Sequence, residues 1–189
     1  MKIMRARGFL NIITVLVLGL TLPVLAKDQT EEQLILELAS PNENKIVDAL
    51  FQLEKKYPAG TNAIPIMKKF LADPRAKVRR KAARVLGALH TEVNAEDLKS
   101  IGALLKASDM HEIVDGLKAL RGLKAQATVP EITPLLKHPH PNVVRDACRT
   151  LAVLGNKDLI PLIEPLTSHK NKTIQTDARE TIHDLNTKQ

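Results

Sequence analysis

Apolar residues recur along this chain at helical spacing, and the pattern returns five times. Val78, Ala82, Val85, Leu86 and Leu89 lie 4, 3, 1 and 3 residues apart, which places them on one stripe of an α-helix. Ile113, Leu117, Leu120 and Leu123 repeat that spacing, as do Ile174, Ala178, Ile182 and Leu185. Each stripe opens on a β-branched anchor after a turn: Ile46, Val78, Ile113, Val144 and Ile174, separated by 32, 35, 31 and 30 residues. The clearest copies are Asp73-Pro74-Arg75-Ala76-Lys77-Val78-Arg79 and His140-Pro141-Asn142-Val143-Val144-Arg145. Ser40-Pro41, Ser108-Asp109 and His169-Lys170-Asn171 are weaker versions of the same turn.

A second set of helices precedes the first. Its stripes are Ile64, Met67 and Leu71; Leu98, Ile101 and Leu105; Val129, Ile132 and Leu136; and Leu159, Leu162 and Leu166. We term these A helices and the anchored ones B helices. Val129-Pro130-Glu131-Ile132-Thr133-Pro134-Leu135 matches Ile160-Pro161-Leu162-Ile163-Glu164-Pro165-Leu166 at an offset of 31, nearly the B-helix period there. Pro65, Pro130 and Pro161 fall in the first turn of their helices, where the missing N–H costs little. Pro134 and Pro165 lie one turn deeper and are expected to bend the helix. A single helix pair half-buries its stripe, and a stacked neighbour covers the rest. The pattern therefore predicts an all-α fold, an α-solenoid of about five stacked antiparallel helix pairs. Thr30-Glu31-Glu32-Gln33 is an N-cap signature for its first helix.

The chain begins differently. Lys2, Arg5 and Arg7 precede an apolar run from Phe9 to Leu20, followed by Pro23-Val24-Leu25-Ala26. This is the layout of a secretory signal peptide, with cleavage expected after Ala26, leaving a repeat domain over residues 27–189. A retained anchor is the competing reading, because Phe9 to Leu25 falls at the short end of the roughly 17–25 residues that cross a bilayer. Pro23 followed by Val-Leu-Ala favours cleavage. Arg5 and Arg7 are separated by Ala6, which points to the general secretory route, and the expected destination is the periplasm.

Composition narrows the function. The 189 residues include three Phe, one Tyr and no Trp, which argues against strand-rich folds and against base-stacking nucleic-acid binders. One cysteine excludes a disulfide framework and a Cys-based zinc finger. Three of the 28 basic residues and none of the 21 acidic ones precede Ala26, so cleavage lowers the net charge from +7 to +4. Attraction to nucleic acid is not demanded by that balance. No Gly-rich phosphate loop and no Ser-His-Asp arrangement is present.

Asp73-Pro74, Val78-Arg79, Ala82 and Leu86-Gly87 resemble a HEAT repeat of the short bacterial form, with Asp-Pro, a gap, Val-Arg, Ala and then Ala-Leu-Gly. The resemblance extends over residues 30–186, strongest in the second repeat and fair in the fourth. The period is shorter than the roughly 40–47 residues of long HEAT and armadillo arrays. A tetratricopeptide array fits less well, because its aromatic positions are unmet, and an ankyrin-like Thr133-Pro134-Leu135 occurs once, inside a helix. The HEAT resemblance implies a scaffold that presents its B-helix face to a protein partner. It also implies that Arg79 and Arg145, one residue after their anchors, pair with a turn aspartate of a neighbouring repeat, for which Asp73 and Asp109 are available. Some HEAT-like proteins are enzymes. The diiron hydroxylases carry several His-Glu pairs inside B helices. Here the one pair, His111-Glu112, precedes its anchor, and Arg80-Lys81 and Asp146-Ala147 occupy interior positions. A phycobilin lyase is disfavoured by the export signal.

Lys118, Arg149 and Arg179 each lie five residues after their anchors, and equivalent positions on stacked helices are about 8–10 Å apart. Arg80, Lys81 and Arg84 extend the positive charge into the second repeat. Two readings follow: a basic stripe of Arg80, Arg84, Lys118, Arg149 and Arg179 that receives an acidic partner, or a solvated face with local ion pairs to Asp115, Asp146 and Asp177. His111, His138, His140 and His169 cluster at turns, but no i, i+4 pair on a helix gives them a metal-ligand spacing. Cys148 sits on the apolar stripe four residues after Val144, as a small buried hydrophobe. The sequence therefore predicts a non-enzymatic adaptor with no cofactor or metal. It would bind a protein partner and not nucleic acid, and touch the membrane only through an uncleaved signal segment. A binder of an anionic envelope polymer and a metal-dependent enzyme are the alternatives.

Overall fold

A computed structural model describes residues 29–188. The expected signal peptide, residues 1–26, lies outside the described residues. Among the described residues every regular element is helical. The A helices are α1 (Glu31–Glu37), α3 (Ile64–Lys69), α5 (Ala95–Ala103), α7 (Val129–Ile132) and α9 (Ile160–Ile163). The B helices are α2 (Glu43–Lys56), α4 (Ala76–Ala88), α6 (Met110–Gly122), α8 (Pro141–Leu154) and α10 (Lys172–Thr187). Each A helix packs on the B helix that follows it, and the B helices stack in chain order from α2 to α10. The expected solenoid of five pairs is the observed architecture.

Local chemistry explains the boundaries. Thr30 and Gln33 form a reciprocal capping box at α1. Pro65, Pro130 and Pro161 occupy the first turn of α3, α7 and α9. Pro134 and Pro165 do more than bend their helices: α7 and α9 end before them, and the chain continues as 3₁₀ turns over Thr133–Lys137 and Glu164–Ser168. Helices α3 and α5 also end in 3₁₀ turns, over Phe70–Ala72 and Leu104–Lys106, without proline. The prolines, which cannot bond four residues back, bring that transition forward, so α7 and α9 have one turn of α-helix.

The B helices start alike. Their N-cap residues are Asn42, Arg75, Asp109, His140 and Asn171, with φ from −81 to −90° and ψ from 115 to 122°. Counted from these caps the repeats are 33, 34, 31 and 31 residues apart. The apolar anchors drift against that register. Ile46, Ile113 and Val144 are fourth after the cap, whereas Val78 and Ile174 are third. Both positions face the interior of a helix pair, and in the fourth repeat Val143 and Val144 are both buried.

Leu34, Leu50, Leu86, Leu117, Leu151 and Ile163 are fully buried along one continuous core. Helices α4 and α6 approach closest at their C-terminal ends, through glycine. A Cβ on Gly122 would lie 2.3 Å from the Gly87 carbonyl oxygen, and one on Gly87 would lie 2.7 Å from the Ala119 Cα. Neither obstacle is a flexible side chain, so a methyl group at either position forces the helices apart. Gly122→Ala is expected to destabilise the protein by about 2 kcal/mol, read as a lower urea midpoint at unchanged helical content.

Candidate binding face

The cap register shows which B-helix residues are structurally equivalent. Fifth after the cap lie Arg80 and Arg145, ninth lie Arg84 and Arg149, and sixth lie Asp115, Asp146 and Asp177. An Arg-x-x-x-Arg pair on one helix meets the sixth-position aspartate of the next repeat. Arg80 Nε donates to Asp115 Oδ2 at 2.8 Å, and Arg84 Nη1 approaches Asp115 Oδ1 at 3.7 Å. Arg145 Nε donates to Asp177 Oδ2 at 2.6 Å, and Arg149 Nε donates to Oδ1 at 3.0 Å. Asp115 and Asp177 are buried, 7% and 3% exposed, so the clamps hold charge away from water. Asp146, also buried, is approached by Arg121 Nη1 at 3.8 Å, and that nitrogen is itself buried and makes no hydrogen bond.

Arg79 and Arg145, expected to pair with the turn carboxylates Asp73 and Asp109, meet other acids. Arg79 does not bond the Asp73 carboxylate. Its guanidinium donates to the Asp73 and Pro74 carbonyl oxygens and to Glu112 Oε2, at 2.9, 2.8 and 3.0 Å. Arg145 takes Asp177 and not a turn aspartate. The turn carboxylates are already engaged. Asp73 accepts from Arg75 Nε, Nη2 and backbone N–H, and the guanidinium holds its carboxyl below the usual range. Asp109 caps α6, where the His111 backbone N–H and then its ring lower the carboxyl, and Arg80 lies 3.6 Å away. Glu112, flagged in the sequence only as half of a His-Glu pair, is thus an inter-repeat partner.

The basic stripe divides. Arg84, Lys118 and Arg149 are ninth after their caps and share one row with Phe51 and Glu180. Arg80 lies one turn before Arg84 on the same face. Arg179 does not belong to the row. It is eighth after its cap and donates to the Thr167 carbonyl at the end of its own A segment. The one-residue drift of the Ile174 anchor causes the mismatch. Lys118 makes no hydrogen bond or ion pair with any described residue, unlike Arg84 and Arg149. At the first-repeat end, Lys81 lies over the half-exposed Phe51 ring, 4.7 Å from its centroid, and bonds Glu54 at 2.6 Å.

The remaining candidates serve the fold. His138 and His169 accept the backbone N–H two residues on, at 3.1 and 3.0 Å, at the position where Ser40 and Asp73 do the same in earlier repeats. His140 accepts from Asn142 as the N-cap of α8. Among the described residues no group of three or more His, Cys, Asp or Glu is placed to hold a metal. Cys148 is fully buried, and burial pushes its thiol up to about 12. No described helix is long and apolar enough to cross a membrane.

Beside the row, a cleft of about 510 Å³ opens at the C-terminal ends of α4 and α6. Arg84, Lys118, Arg121 and Lys124 line it, with no carboxylate among the lining residues. Sequence reading missed Arg121 and Lys124, which fall outside the anchor-plus-five spacing.

No protein-family model matches the chain. An 84-residue stretch is 33% identical to the human stalled ribosome sensor GCN1, matching 42% of this chain and 3% of that protein's length. The complex of CpcE and CpcF of phycocyanin lyase from Nostoc sp. PCC7120 superposes with a TM-score of 0.72 at 23% identity, over 85% of this chain and 66% of that one. A designed armadillo repeat protein in complex with peptide (KR)4 gives a TM-score of 0.63 at 18% identity, over 81% and 80% of the two chains. The described residues are a helical-repeat solenoid of the HEAT and armadillo type.

Two outcomes test this description. Arg145→Ala leaves a buried carboxylate with one half-exposed cation and is expected to cost about 2 kcal/mol, whereas Lys118→Ala is expected within about 0.5 kcal/mol of wild type; chemical denaturation measures both. Cys148 is expected to resist iodoacetamide at neutral pH in the native state and to react fully in urea, by mass spectrometry.

Proposed function

We propose that this chain is an exported, non-catalytic scaffold whose B-helix face binds an acidic segment of a protein partner. The observation that carries the reading is the row of cations on the B helices. Asp109 and Asp115 offset Arg80 and Arg84, but Asp177 alone is met by both Arg145 and Arg149, and Lys118, on the same row, pairs with no described residue, so positive charge is left in excess at the exposed edge. Such a row steers acidic partners and sets their register. The designed armadillo neighbour, in complex with peptide (KR)4, supports a peptide-binding role for this fold. The face here is basic, so the complementary segment is acidic. The lyase neighbour shares the fold at 23% identity. Cys148 is sealed in the core, and the rings of His138, His140 and His169 order turns, which favours a scaffold over a catalyst. Export rests on the basic and apolar layout of residues 1–26.

The test is affinity capture from the native cell envelope with the purified protein and its Lys118→Glu variant. Lys118 has no partner among the described residues, so its reversal reads the surface and not the fold. A specific acidic protein retained by wild type, lost by the variant and released by salt is the expected result. Equal recovery by both overturns the basic-face assignment. Retention of an anionic polymer in place of a protein favours the envelope-polymer reading.

A further inference from the structure

A second cleft, of about 600 Å³, lies between the end of α8 and the end of α10. Val153 lines both this cleft and the basic one beside α4 and α6. It is one of the few large apolar side chains left exposed, at 44%. Leu185 adds to the apolar lining of the second cleft, and Lys157 and Lys188 add positive charge against the single carboxylate Asp158. Asp158 is already paired with Asn156, and Lys188 Nζ reaches the Val153 and Gly155 carbonyl oxygens at 2.7 and 3.0 Å. The two clefts thus share an apolar centre and have cations on either side of it.

Backbone conformation singles out the same place. Just past the C-terminal ends of α4 and α6, His90 and Lys124 have φ of 50 and 53°, where helices usually carry glycine. His90 has an intramolecular reason to be there: its Nδ1 lies 2.7 Å from the Gly122 carbonyl oxygen, to which it donates. Lys124 closes α6 as a helix cap: its N–H donates to the Arg121 carbonyl at 3.2 Å and the Ala125 N–H donates to the Leu120 carbonyl at 3.1 Å, while its side chain makes no bond to any described residue and stands at the wall of the basic cleft. Arg121, in the same wall, keeps a guanidinium nitrogen without a hydrogen bond. The cap at the end of α6 sets Lys124 and Arg121 at the mouth of the cleft with Arg84 and Lys118, and no carboxylate among the lining residues opposes them.

We infer that the two clefts act as one trough along the C-terminal ends of α4, α6, α8 and α10, which takes an extended acidic segment of the partner protein and seats one apolar side chain on Val153. Four stacked helices leave three gaps of about 8–10 Å, which an extended chain spans in about eight residues. Acidic side chains on one side of the segment meet Arg84, Lys118, Arg121 and Lys124. Those on the other side meet Lys157 and Lys188. The inference rests on the acidic-partner reading above and adds the location, the length and the apolar requirement.

Fluorescence anisotropy with three labelled nonapeptides tests it: glutamates with a central leucine, glutamates throughout, and glutamines with a central leucine. Polyphosphate serves as competitor. The leucine-centred glutamate peptide is expected to bind at least about tenfold more tightly than either control. Val153→Asp is expected to remove the preference for leucine. The double variant Lys118→Gln, Lys124→Gly is expected to weaken binding about tenfold while melting no lower than wild type, because glycine relieves the left-handed residue. Equal binding of the leucine-centred and all-glutamate peptides, or displacement by polyphosphate at equal charge concentration, overturns the trough in favour of a charge-only surface. Loss of a captured partner on Lys118→Glu with indifference to Val153→Asp overturns the trough and leaves the scaffold reading intact. Absence of peptide binding together with unchanged capture overturns both.

Discussion

A carboxylate taken out of water between two helices must be met by cations, and in this protein the cations come from the preceding repeat. Asp115 is held by Arg80 and Arg84, and Asp177 by Arg145 and Arg149. Apolar stripes alone permit neighbouring B helices to slide or rotate against each other at modest cost. A buried charge permits far less, because any displacement leaves it uncompensated. These clamps therefore act on register more than on total stability, and Arg79 with Glu112 adds a third constraint, at the N-terminal ends of α4 and α6. Between the two clamps the α6–α8 junction lacks an equivalent pair, since Val114 and Lys118 occupy the two arginine positions. There Arg121 reaches toward Asp146 instead.

The same constraint shapes the surface. At Asp177 two guanidiniums meet one carboxylate and leave charge over at the rim, and with Lys118 on the same row the face that orders the stack is also basic. Arg84 and Arg149 therefore combine an inter-repeat pairing with a place on the exposed row, whereas the side chains of Lys118 and Lys124 pair with no described residue. The close approach of α4 and α6 through Gly87 and Gly122 brings the two groups together, because it draws the C-terminal ends of these helices and their cations around one cleft.

Side chains that carry chemistry elsewhere are used here for local order. Residues two before the N-caps accept a backbone hydrogen bond, and serine, aspartate and histidine all fill that role. An imidazole Nδ1 reaches the same distance as a serine or aspartate oxygen, so the histidines at the turns reflect repeat geometry and not ligand spacing. Cys148 takes a helix position occupied by Leu50, Ala83 and Leu117 in other repeats, all buried.

The helical period, the paired helices, the solenoid and the proline-marked starts of the A helices were all readable from the sequence, because each depends on residues within one turn of each other or on recurrence at a fixed offset. The sequence also showed that arginines and aspartates recur, but not which would meet. Positions three and four after a cap both face the core, so an apolar anchor leaves the register open by one residue. One residue is a rotation of about 100° around the helix. That rotation places Arg179 against its own A segment and Arg149 on the shared row, although both lie five residues after an anchor. It also explains why Arg145 finds Asp177 of the next helix and not a turn aspartate. Local pattern determined what each repeat is. The partners of its charged residues, and the clefts at the ends of its helices, were decided only by stacking, because they depend on the relative rotation of helices more than thirty residues apart.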